Sequence, residues 1–174
     1  MKTKKIILSA LFISIGLILP TIFHTVSLSG SIFLPMHLPV MVGGFILGPL
    51  YGAIIGFITP ILSSILTGMP PLMPITPLMS LELLGYGFMS GLLFKKTKKI
   101  YISLLSSILF GRLCSMIGAF ILSITFAPQI SPVPYVVSGI INGVPGIIIQ
   151  LIIVPLLIKF IITNKETSQI LEIN

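Results

Sequence analysis

The chain is poor in the residues that soluble domains and most enzymes depend on. Of its 174 residues only 7% are charged, one is cysteine, and there is no tryptophan and no aspartate. A soluble domain carries about 25% charged residues, so this chain cannot build a water-facing surface. The lone Cys114 excludes an internal disulfide. With no aspartate, and Glu82 the one glutamate inside an apolar run, paired-carboxylate catalysis has no material. The phosphate loop G-x-x-x-x-G-K-S/T and the zinc motif H-E-x-x-H are both missing, and no Ser/His/Asp set falls at one depth. The chain is therefore expected not to be an enzyme and not to hydrolyse ATP by itself. Two histidines, His24 and His37, are too few for a metal centre. The eight methionines suit apolar packing better than a soft-metal site.

What is present is apolar. Hydrophobic residues make up 55% of the chain and mean hydropathy is +1.20. The net charge of +7 sits in short clusters between apolar runs, which in a membrane protein sets orientation rather than nucleic-acid binding. Apolar runs place spans near 6–23, 33–48, 50–67, 75–94, 100–127 and 134–162. Six spans of about 20 residues use roughly 120 residues, leaving short loops and no room for a further soluble domain. The expectation is a single domain over 1–174, an all-α membrane protein folded as a compact six-helix bundle in the cell membrane. The basic start, Lys2 to Lys5 before Ile6 to Leu19, is read as a retained first helix because no small-residue cleavage site follows.

The second span is the weakest. Pro35 and Pro39 interrupt its start, and the clean stretch 38–48 is about 16 Å long, half the hydrocarbon thickness. Charge parity argues for counting it. With six spans, all nine lysines fall on one side together with both termini, while loops 24–37, 68–74 and 128–133 hold no Lys or Arg. If 38–67 were one kinked helix, Lys95 to Lys99 would move outside, against the positive-inside rule. Gly48-Pro49 is accordingly read as a tight turn at the cytoplasmic side. Nine of the fourteen prolines fall at 35–39, 70–77 and 128–134, on the opposite side, where fixed φ values stiffen the loops.

Two charged residues lie well inside the spans. Glu82 precedes Lys95 by thirteen residues and Arg112 follows Lys99 by thirteen, so in an antiparallel hairpin both stand about 20 Å above the lysine turn. Either charge alone costs at least about 2.5–3.5 kcal/mol in the membrane, so pairing is favoured. The pair is either structural or the polar floor of an outward-facing pocket, with Arg112 available to a substrate carboxylate and Glu82 orienting it. Asn142 is placed to join them, whereas Gln150 is expected to bond between helices. Gly44 and Gly48, Gly52 and Gly56, Gly87 and Gly91, and Gly139 and Gly143 have the small-residue spacing of packed membrane helices. Ala10 and Ser14 share that spacing on the first helix, where they could instead face a partner.

In these features the chain resembles the substrate-binding S components of energy-coupling factor (ECF) vitamin transporters. The likeness rests on the span number, on the small pair Ala10 and Ser14, and on several stretches. These are Met36-His37-Leu38-Pro39-Val40, Gly48-Pro49-Leu50-Tyr51-Gly52, Thr67-Gly68-Met69-Pro70-Pro71, Glu82-Leu83-Leu84-Gly85-Tyr86-Gly87, Gly111-Arg112 and Asn142-Gly143-Val144-Pro145-Gly146. The resemblance implies capture of a vitamin-like micronutrient at the outer face. It also implies docking on a membrane T component with two cytoplasmic ATPases, which use the ATP, so that this chain carries no cofactor. The family's first-helix motif is Ala-x-x-x-Ala, and here Ser14 replaces the second alanine. The family's binding site maps onto His37, Met69 and its loop, Glu82, Tyr86, Arg112 and Asn142.

Arg112 would favour a carboxylated ligand such as pantothenate or folate, with a cobalamin-related or queuosine-precursor ligand as further options. The competing readings are a self-sufficient carrier using Glu82 as its proton site, and a membrane scaffold held by the same ion pair.

Overall fold

A computed structural model describes residues 2–25 and 30–164. Among them are seven helical segments and no strand. They are α1 (Lys2–Thr25), α2 (Gly30–Phe33), α3 (His37–Leu47), α4 (Pro49–Thr67), α5 (Ile75–Thr97), α6 (Ile100–Thr125) and α7 (Pro132–Thr163). Five of them, α1, α4, α5, α6 and α7, are long and apolar enough to cross a membrane.

The expected span at 33–48 is not one helix. A single turn, α2, ends at Phe33; Leu34 takes a left-handed φ of 50°, and α3 begins only at His37. Proline is the cause. Pro35 cannot donate a helical hydrogen bond and biases Leu34 away from helix, whereas Pro39 is tolerated because it sits in the first turn of α3. Ten of the eleven residues of α3 are buried. It packs against α1, α4, α5 and α7 and forms the axis of the bundle.

Two tight turns reverse the chain at the same end. Gly48, at φ 94°, closes α3 through its N–H to the carbonyl of Gly44 and starts α4, with Pro49 in the first-turn position where its missing N–H costs nothing. Lys98, at φ 56°, caps α5 with its N–H on Phe94, and α6 starts two residues later. Lys95 and Lys96 in the last turn of α5 complement the helix dipole. The main core joins Val40, Met41 and Phe45 of α3 to Ile55, Leu83, Tyr86, Leu104 and Val154 of the surrounding helices.

At the other end, the loop 68–74 between α4 and α5 is laced to both helices. Ser63 Oγ donates to the carbonyl of Met69 at 2.7 Å, and Thr76 donates to Pro71 through its hydroxyl at 2.9 Å and its backbone N–H at 3.1 Å. The stiffness expected from its prolines is thus reinforced by side chains that satisfy the loop carbonyls.

Candidate functional site

α5 carries Glu82 and Tyr86 four residues apart, hence on one face. Against that face α6 brings Arg112, α3 its first residue His37, and α7 the backbone of Gly139. Arg112 Nη1 lies 2.9 Å from Glu82 Oε1. His37 Nε2 stands 3.6 Å from the same oxygen. Arg112 Nη2 donates to the carbonyl of Gly139 at 3.3 Å. The His37 and Tyr86 rings meet edge to face, with centroids 5.1 Å apart. Four helices therefore meet around the Glu82–Arg112 pair, whose carboxylate is itself buried.

Above this cluster opens a cavity of about 320 Å³, at the end remote from the Gly48 and Lys98 turns. Glu82, Arg112 and His37 form its base; Leu34, Pro35, Met36, Ile75 and Met79 make apolar walls, and Met69, Pro70 and Pro71 form its rim. A second hollow of about 380 Å³ lies at the opposite end among Lys5, Tyr51, Lys95 and Lys98. It is larger but holds no buried charged pair, so the first cavity is the candidate site. Among the described residues, no three His, Cys, Asp or Glu side chains gather to hold a metal.

The structure brings together Glu82, Arg112 and His37 at the cavity and puts Met69, 52% exposed, at its mouth. Tyr86 is fully buried behind His37 and backs the site rather than lining it. Asn142 is not brought in: it is exposed, and the cavity is lined on α7 by Tyr135 and Gly139 instead. Gly139 escaped the sequence reading because its spacing with Gly143 matches helix packing. Gly139 in fact makes room for the guanidinium, since a β-carbon there would lie 3.1 Å from Arg112 Nη1, whereas at Gly143 it would first meet the Leu34 side chain at 3.0 Å. Ala10 and Ser14 lie on an exposed face of α1, with the Ser14 hydroxyl turned back onto the Ala10 carbonyl at 2.9 Å. The side chain of His24 is outside the described residues.

A family model described as "ECF transporter, substrate-specific component" matches residues 4–158. The chain belongs to the ECF transporter S components. The matched region contains every residue of the cluster and of the cavity wall. As an S component the chain is an integral membrane protein and the substrate-specific part of a transporter, not an enzyme. An S component works with a membrane T component, ATPases and a small-molecule substrate. No curated protein and no solved structure matches the chain.

Proposed function

We propose that this S component captures a vitamin or related micronutrient from outside the cell in the cavity above Glu82, Arg112 and His37. It then releases the compound inward through a T component driven by two ATPases. The observation that carries this reading is a charged pair buried at the base of an otherwise apolar, proline-rimmed cavity. Intramembrane ions of this kind are expensive and mark substrate sites by default.

In this reading the chain is a single domain crossing the membrane six times. α3 and the segment before it form the short, protein-enclosed second crossing. Lysines at both α5–α6 turn and α1 start favour cytoplasmic termini, which makes the cavity outward-facing. Glu82, Arg112, His37 and Met69 hold the substrate and Tyr86 positions His37. The exposed Ala10 and Ser14 let α1 approach the T component closely. ATP is used by the partners alone.

The test is reconstitution in liposomes. Uptake that requires the T component, the ATPases and ATP supports the reading. Uptake by the purified chain alone, driven by a pH gradient, would establish a self-sufficient carrier instead, and no saturable binding of any compound would leave a scaffold.

A further inference from the structure

The Glu82 and Arg112 charges at the base of the cavity offset each other before any substrate arrives. Among the residues lining it, Arg112 is the one permanent cation and Glu82 the one carboxylate, and they stand 2.9 Å apart. One N–H of the second guanidinium nitrogen, Nη2, donates to the Gly139 carbonyl. A carboxylate brought to Arg112 must therefore also approach Glu82, in partly buried surroundings where water and salt screen the repulsion less than at an open surface. A cationic substrate meets the same obstacle from Arg112.

Balanced charge is not the same as satisfied hydrogen bonding. Among the described residues, Glu82 Oε1, Arg112 Nε and both ring nitrogens of His37 are buried without a hydrogen-bond partner. Of the lining residues an ionised Glu82 can only accept and Arg112 can only donate, so the base sets an acceptor beside a donor. The walls ask for the opposite chemistry: Leu34, Pro35, Met36, Ile75 and Met79 are apolar, and thioethers make favourable contacts with ring edges. At about 30 Å³ per water, the cavity equals roughly ten waters, which fits a molecule of one or two rings.

We propose that this cavity selects a substrate of zero net charge, with an apolar one- or two-ring body and a polar edge carrying both a donor and an acceptor, as an amide or lactam does, and that it disfavours carboxylates. This rests on reading the cavity as the substrate site. It runs against the simplest expectation from an isolated arginine, because the arginine is not isolated.

The experiment is calorimetry on the detergent-purified full chain with three matched pairs: nicotinamide and nicotinate, picolinamide and picolinate, lipoamide and lipoate. In each pair that binds, the neutral member is expected to bind at least tenfold more tightly. A carboxylate that binds as well as its neutral counterpart overturns the proposal while leaving the chain a substrate-binding subunit. Native mass spectrometry of the chain purified from its own membrane gives a second readout. A co-purified compound of zero net charge supports the proposal, and a carboxylate or phosphate ester overturns it. A chain that carries no small molecule and binds none of the six compounds overturns the binding-site reading itself. In Glu82→Gln the carboxylate member is expected to gain at least tenfold on its neutral partner. An unchanged preference in that variant, shown to be folded, overturns the role given to Glu82, and the wild-type comparison stands whether or not the variant folds.

Discussion

Gly52 of α4 and Gly87 of α5 pass so closely that a β-carbon on either would collide with the carbonyl oxygen of the other. The contact continues along the same seam, where Gly44 meets Gly87 and Gly56 meets the backbone of Leu83. In lipid there is little hydrophobic drive between helices, so backbone approach of this kind supplies the packing. It also sets the position of α5, and hence of Glu82, relative to α3 and His37.

Gly87→Ala is therefore expected to destabilise the bundle by at least about 1–3 kcal/mol, because the obstacle is backbone and cannot rotate away. Gly48→Ala tests a different cause. A β-carbon there meets nothing, but the φ of 94° strains any L side chain. The midpoint of thermal unfolding in detergent reads both, and a Gly87→Ala protein as stable as the parent would show that the seam is looser than described.

Orientation follows from where the lysines lie. With the lone Cys114 changed to serine, single cysteines at Lys96 and Leu72, both exposed, sit at opposite ends of α5 and its preceding loop. A membrane-impermeant maleimide added to intact cells should label position 72 and spare position 96. The reverse pattern would turn the cavity to the cytoplasm and remove the proposed direction of capture.

Depth along the membrane was legible in the sequence, and facing was not. Counting thirteen residues from each side of the lysine turn was enough to bring Glu82 and Arg112 to one level, because helix rise is constant. Asn142 lies at nearly the depth of Gly139, yet three residues fall 60° short of a turn, and α7 is too uniformly apolar for its pattern to say which side faces inward. Hydropathy also could not distinguish α3 from a lipid-facing span, since a helix enclosed by protein is as apolar as one enclosed by lipid. The break at Leu34 needed the backbone itself.

Binding should separate these two placements. Arg112→Ala leaves Glu82 as a buried, unpaired charge, a change that costs about 3–5 kcal/mol where a buried ion pair loses one partner. The variant is expected to reach the membrane but show no measurable binding of a compound identified for the parent. Asn142→Ala, outside the cavity, should bind it within about twofold, as exposed substitutions away from a site usually change little. A loss of tenfold or more at Asn142 would require α7 to rotate when substrate is present.

Gln150 offers a test of what the core tolerates. Its side chain on α7 is completely buried, and among the described residues neither the amide nitrogen nor the oxygen has a hydrogen-bond partner. It shares α7 with Ile147, Leu151 and Val154 of the main core and does not line the cavity. The expected bond between helices is thus not made, and an unsatisfied buried amide costs about 1–3 kcal/mol. Gln150→Leu keeps the volume and removes that cost, so the thermal unfolding midpoint should rise while substrate affinity stays unchanged. A drop in stability would mean that the amide is bonded in the working protein, through water or through a neighbour that moves. A drop in affinity at unchanged stability would tie α7 to the transport step.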